Sequence, residues 1–214
     1  MALPQVLVAV LTNAWLAVVI CFFALITGAL LTVVRTFKAK LVNKIVSLFI
    51  SFIQGTPILV QIFLAYYALP AVGLNLSAIS AGILALTVNS SVFITEIFRG
   101  GLRNLEDGQI EAAATLGLKP FHIWRLVIFP QLLRVCIPML VSESSMVLKA
   151  TALLSVITVV EGLRVAQQIG ASEFSPFEPY LAVGAAFAAI YLVIVVIGKL
   201  LESRLALIGG RHES

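Results

Sequence analysis

Apolar residues run almost unbroken from Val6 to Val34, and the first charged side chain is Arg35. About 20 apolar residues suffice for a helix to cross a bilayer. The run therefore predicts a first span over Val6–Val34. It is longer than the apolar core of a signal peptide and no basic residue precedes it, so a retained span is expected. Residues 45–95 again hold no charge. That is too long for one span and suits two, with a break at Ala68–Ser80, where Pro70, Gly73 and Asn75 are turn residues. The second of these spans is expected at about Ala81–Phe98, a fourth from near Leu132, and a fifth at about Tyr180–Ile197. The fold expected is an all-α membrane protein of five transmembrane helices, with residues 1–214 forming a single domain.

The charges orient those spans. Arg35, Lys38, Lys40 and Lys44 lie between the first two apolar runs without an acid among them. An excess of Lys and Arg marks cytoplasmic loops. The N-terminus is thus expected outside, Arg99 and Arg103 mark a return to the cytoplasm, and Lys199, Arg204 and Arg211 place the C-terminus inside. On this topology the net charge of +4 reflects orientation; no basic run interleaves with aromatics as nucleic-acid binding requires. Composition agrees with a membrane protein: 61% hydrophobic, 11% charged, mean hydropathy +1.10. Cys21 and Cys136 are isolated, form no metal or redox spacing, and read as buried thiols.

One long polar interruption, Arg99–Gln131, has a clear local grammar. Gly108 can open a helix, and Glu111 falls in its first turn, where the dipole favours a carboxylate. Ala112, Ala113 and Ala114 are strong helix formers. Gly117 suits the left-handed position past a helix end, and Pro120 reads as a stop. The prediction is a helix of about nine residues, roughly 13 Å long. So short a helix is marginal alone in water. It is either an ordinary capped loop helix or one presented to a partner. Phe121–Phe129 follows as an amphipathic stretch with Trp124 at interfacial depth; His122 reads as a surface residue, and Pro130 as a kink into the fourth span.

Polar residues within the spans are the remaining candidates. Gln54-Gly55-Thr56-Pro57 predicts a bend, because Pro57 removes a backbone donor. Asn89, Ser90 and Ser91 either bond to neighbouring helices or line a solute path. Ser142, Glu143, Ser144, Ser145 and Lys149 fall in the fourth span. A carboxylate at a helix centre in a bilayer costs about 2.5–3.5 kcal/mol on insertion scales, so Glu143 needs a polar surrounding. It is either part of a structural cluster between helices or faces a cavity. Lys149, six residues on, is out of phase for pairing within the helix. Residues 150–178, with Glu161, Arg164, Glu173, Glu178, Pro176 and Pro179, read as a periplasmic segment with re-entrant or surface helices.

Glu111-Ala112-Ala113 with Gly117 resembles the EAA signature of permease subunits of bacterial ABC importers. The likeness extends to Glu96-Ile97-Phe98-Arg99-Gly100-Gly101-Leu102, Gly108-Gln109, Phe129-Pro130-Gln131, Gln54-Gly55-Thr56-Pro57 and Leu148-Lys149-Ala150-Thr151-Ala152-Leu153. Together these are similar to the polar amino acid branch of binding-protein-dependent importers, over about Ile50–Glu161. The resemblance implies a type I importer permease fold with a cytoplasmic coupling helix in the bacterial inner membrane. It implies no enzymatic role for the chain. ATP and Mg belong to separate ABC ATPase subunits, and the sequence holds no G-x-x-x-x-G-K-[ST] phosphate loop of its own. The implied partners are those ATPases, a second permease chain as homodimer or heterodimer, a periplasmic or lipid-anchored amino-acid-binding protein, and membrane lipids. Coupling falls to Glu111, Ala112, Ala113, Gly117, Leu118 and Arg103. Substrate binding falls to Glu143, Ser142, Lys149, Thr151, Asn89, Thr56 and Gln61, with Lys149-Ala150-Thr151-Ala152 as a break in the helix. Two positions depart from the pattern: many members carry arginine at Gln54 and aspartate at Ala150. Small residues at the latter resemble members that carry basic amino acids or opines; glutamine, glutamate or cystine are the alternatives. A stand-alone secondary transporter would need ion-coupling residues and usually internal repeats, and no convincing repeat is present.

Overall fold

The structure is a computed structural model and describes residues 2–37, 39–105, 107–175 and 177–208. Lys38, Pro176 and Arg211, used above to orient the chain and to place a loop, lie outside the described residues. The elements in order are α1 (Ala2–Thr36), α2 (Lys40–Gly55), α3 (Ile58–Phe63), α4 (Ala78–Arg103), α5 (Asp107–Thr115), α6 (Pro120–Ile123), α7 (Phe129–Thr151), α8 (Gly162–Glu173) and α9 (Phe177–Ile208). A π turn, Leu64–Ala68, and a 3-10 turn, Leu69–Val72, prolong α3. Another π turn, Trp124–Ile128, joins α6 to α7. No strand occurs among the described residues.

Four helical stretches are long and apolar enough to cross a membrane: Pro4–Thr36, Ala78–Arg103, Pro120–Ile157 and Phe177–Leu205. The stretch beginning at Lys40 supplies a fifth if its two halves count as one span, but they meet at 108°. The chain therefore does more than kink at Pro57. Pro57 drives the preceding residue out of the helical region, and Thr56 sits at φ −107°, ψ 139°. Helix α5 ends before Pro120 as expected, whereas Pro130 acts differently from expectation. Pro120 opens α6, where its missing N–H costs nothing. Pro130 lies in the first turn of α7, inside a continuous helical stretch.

Helix α4 packs most extensively on α1 and also on α7. Small residues set the approach: a Cβ on Gly28 would stand 2.8 Å from Ile94 Cγ2 and 2.9 Å from the Ser91 carbonyl. Between membrane helices, such packing takes the place of a hydrophobic driving force. At one end of this pair Arg35 donates to Glu96, which also accepts from Arg99 at 3.2 Å. Arg35 Nη2 reaches Ser47 Oγ at 3.2 Å, so a single ionic group joins α1, α2 and α4.

The opposite end carries a fully buried polar cluster. Asn13 Nδ2 donates to Thr151 Oγ1 (3.0 Å) and Glu161 Oε2 (2.9 Å), and its Oδ1 accepts from the Gly162 N–H (3.0 Å). Glu161 also accepts from the N–H groups of Leu163 (2.9 Å) and Arg164 (2.8 Å), capping α8. Burial raises the Glu161 carboxyl above its ordinary value, against the lowering effect of the Asn13 amide, these two N–H groups and the Arg164 charge. The predicted break at Lys149–Ala152 does not occur. Helix α7 continues through Thr151 and tightens into a 3-10 turn, Ala152–Ile157. Thr158, just past this turn, is left-handed, at φ 69°. Lys-Ala-Thr-Ala contains no helix breaker, and the Thr151 hydroxyl is satisfied by the Leu148 carbonyl at 2.6 Å. Helix α8 then lies against α1 and α9.

Replacing Asn13 with Leu should leave the Glu161 carboxylate and the Gly162 N–H short of partners in a dry site. The expected cost is about 1–3 kcal/mol, read as a lower unfolding midpoint of the detergent-solubilised protein. An unchanged midpoint would show the cluster to be incidental.

Candidate functional site

Helices α3, α4 and α7 enclose a cavity of about 340 Å³, lined by Ile58, Leu86, Phe93 and Met146 with Asn89, Ser90, Glu143 and Lys149 as its polar members. Successive turns of α4 present Leu86, Asn89, Ser90 and Phe93 to it, and α7 presents Glu143, Met146, Val147 and Ala150. Both sets follow the three-to-four-residue spacing of one helix face. The Glu143 carboxylate is half-buried and accepts from Ser90 Oγ at 2.7 Å. Lys149 stands at the rim with its ammonium 5.3 Å from the centre of the Tyr191 ring, a cation–π distance. The cavity thus offers one acid, one base and a hydroxyl amid apolar walls.

Thr56, Gln61 and Asn89 meet beside this cavity. Gln61 is buried; its Nε2 lies 2.8 Å from the Ile53 carbonyl, 3.1 Å from the Thr56 carbonyl and 3.0 Å from Thr56 Oγ1. Its Oε1 accepts from Asn89 Nδ2 at 3.1 Å. These are carbonyls that the interruption at Thr56–Pro57 leaves without helical partners. Gln61 therefore seals the bend and fastens it to α4. Two of the expected substrate residues fall elsewhere. Ser142 is exposed and donates to the Pro138 carbonyl (3.2 Å), off the cavity wall. Thr151 is fully buried against Asn13.

The polar interruption folds largely as its spacing predicts. Helix α5 has nine residues. Gly117 is left-handed, at φ +78°, with its N–H on the Ala114 carbonyl (2.9 Å) and the Leu118 N–H on the Ala113 carbonyl (3.2 Å). This pair of bonds is a Schellman cap. The three alanines do not share one surface. Ala113 turns inward onto Ile123 and Ile128, while Glu111, Ala112 and Leu116 are exposed, Leu116 to 82%. Leu118 packs beside Ala113, and Arg103 is exposed where α4 ends. Gln131 on α7 donates to Gln109 on α5 at 2.7 Å, tying the short helix to a long one.

Sequence reasoning did not single out the Asn13–Glu161 pair. The available signal was an asparagine in the middle of an otherwise apolar run. Among the described residues no three His, Cys, Asp or Glu side chains cluster at ligand spacing, and Cys21 and Cys136 are free thiols.

These features define an integral-membrane helical bundle with a polar pocket between its spans and a capped helix outside them. Residues 24–207 match the model of the family described as "binding-protein-dependent transport system inner membrane component", and the chain belongs to that family. It is 33% identical to the nopaline transport system permease protein NocM of Agrobacterium fabrum (strain C58 / ATCC 33970), covering 89% of this chain and 83% of that one. It is also 33% identical to the glutamine transport system permease protein GlnP of Escherichia coli (strain K12), over 97% and 95%. A solved structure described as an amino acid ABC transporter with histidines superposes with a TM-score of 0.86 at 31% identity, covering 94% of each chain. The fold is that of the membrane subunit of an ABC transporter.

Gln61→Leu keeps the side-chain volume and removes both donors and the acceptor. The Thr56 carbonyl and the Asn89 amide lose their partner and the Ile53 carbonyl keeps only Thr56 Oγ1 at 3.3 Å, which should cost about 1–3 kcal/mol, measured as a shift in the urea or thermal midpoint of the solubilised protein. No shift would mean that the bend holds without Gln61.

Proposed function

We propose that the chain is the permease subunit of an ATP-driven importer of polar amino acids, most consistent with basic amino acids or opines, in the bacterial inner membrane. Residues 1–214 act as one transmembrane domain of five spans, the bent Lys40–Val72 stretch serving as the second. The N-terminus faces the periplasm and the C-terminus the cytoplasm, and the coupling segment of about 99–131 is on the inner side. The observation that carries the substrate reading is Glu143: a carboxylate at mid-span, held by Ser90 on the wall of a cavity. Placing it there is costly unless something charged or polar meets it. An α-amino group or a cationic side chain would do so, with Asn89 and Lys149 available to the rest of the molecule. Thr56 and Gln61 act behind the cavity wall by holding the bend. Relatives named for nopaline and for glutamine leave glutamine, glutamate or cystine as the second reading.

The motor is borrowed. Two ABC ATPase subunits, which hold ATP and Mg, close on ATP and grip α5 through Glu111, Ala112 and the exposed Leu116, with Arg103 alongside. Ala113, Gly117 and Leu118 fix the shape of that grip from within. Movement of α5 passes to α7 through Gln109–Gln131 and the packing around Ala113. A second permease chain, as homodimer or heterodimer, completes the path, and a periplasmic or lipid-anchored binding protein delivers the solute.

The deciding experiment is the ATPase rate of the reconstituted transporter across a panel of amino acids with their binding protein. Glu143→Ala should weaken stimulation by a cationic amino acid by about tenfold or more, the effect of losing a charge-assisted hydrogen bond, and leave the basal rate unchanged. Equal stimulation of variant and parent across the panel would remove Glu143 from the substrate path. Gly117→Asp, tolerated sterically because Asp visits the left-handed region, should separate ATP hydrolysis from uptake while the protein still inserts. Normal uptake by that variant would remove the coupling role.

A further inference from the structure

A second hollow, of about 520 Å³, lies on another face of α7, between α1, α7 and α9. Its wall is apolar apart from Cys21 and the Ser144 hydroxyl, and Ser144 spends its hydrogen on the Leu140 carbonyl (2.8 Å). It runs from Ile137 to Leu148 along α7 and from Ile190 to Leu201 along α9. Eleven residues of helix are about 16 Å long, close to half of the roughly 30 Å hydrocarbon core. The hollow therefore has the length of one leaflet's acyl layer. Its lower end is closed by a cation. Arg134, one turn before Ile137, donates from Nη2 to the Leu205 carbonyl of α9 at 3.2 Å, bridging the two helices across the mouth. It has no carboxylate within ion-pair distance among the described residues. The guanidinium remains exposed with four further N–H donors. Arg204 falls on the groove face of α9 by helical register, three positions past Leu201, while Lys199 falls on the opposite face. Glu202, three positions past Lys199, falls on the Lys199 side of α9 by the same register.

We propose that this groove holds one acyl chain of an anionic phospholipid whose phosphate is bound by Arg134, with Arg204 beside it. A guanidinium pairs with phosphate in forked geometry, and basic pockets between membrane helices are suited to anionic headgroups. The leaflet is the cytoplasmic one, a clause that rests on the orientation proposed above; the site itself does not. Helix α7 then carries a solute face at Glu143 and a lipid face at Ser144.

The test is native mass spectrometry of the complete transporter, purified with its ATPase and partner subunits, after addition of phosphatidylglycerol or phosphatidylcholine. One phosphatidylglycerol per copy of this chain should be retained in preference to phosphatidylcholine. Arg134→Glu should reduce that retention about tenfold, as expected for one lost charge-assisted contact, with Arg134→Lys intermediate. Ser144→Leu, which fills the groove and leaves the mouth intact, should also reduce it. Unchanged elution of the complex and unchanged basal ATPase rate establish that the variants assemble. Equal retention of the two lipids, retention untouched by both substitutions, or disulfide pairing of two Ser144→Cys chains face to face would overturn the proposal. None of these outcomes depends on which amino acid is carried.

Discussion

Hydrocarbon offers a polar group nothing to bond to, so every one placed there must find its partner inside the protein. Three solutions to that constraint organise this molecule. At the bend, Gln61 takes up the carbonyls released by Pro57 and hands its own oxygen to Asn89. At the far end, Asn13 and Glu161 satisfy each other and the first N–H groups of α8. In the middle, Glu143 has Ser90 and an adjoining cavity. The first two clusters are closed, and their groups are bonded within the protein. The third has Ser90 as its hydrogen-bond partner and otherwise faces the cavity, which sets Glu143 apart from the carboxylate of Glu161.

The same residues shape the walls of the cavity. The 108° turn between the two halves of Lys40–Val72 sets Ile58 against the cavity, while Ile62 and Ala65 anchor that wall in the core beside Leu86 and Leu154 and Gln61 ties the turn to α4. On the other side α7 is a single rod that runs from the neighbourhood of α5 to the buried cluster at Thr151. Contact between α5 and this rod runs through Gln109–Gln131 and the packing around Ala113.

Much of this was legible in the chain itself. The charge-free runs gave the long helices, and the glycine after the alanine triplet gave the left-handed cap, because in each case one local rule dominates. The Glu143 position stood out for the same reason: a carboxylate in an apolar run admits few explanations. What could not be read depends on where a helix points. Ala112 and Ala113 are adjacent in sequence and chemically identical, yet one is exposed and the other buried, since a step of one residue turns about 100° around the axis. Thr151 fitted a substrate role by proximity to Lys149 but faces Asn13, on a helix distant in sequence. The severity of the bend at Pro57 was likewise hidden. Proline predicts an interruption and leaves its angle to tertiary packing.

The central claim is that the hollow beside Glu143 is the aqueous path of the solute. It is tested most directly at Met146, which lines the hollow and carries no proposed chemistry. In the assembled transporter, with Cys21 and Cys136 replaced by serine or alanine, Met146→Cys should react with a hydrophilic thiol reagent. The transported amino acid should slow that reaction. A thiol that stays unreactive in every nucleotide state, or one whose labelling is indifferent to the amino acid, would contradict the account.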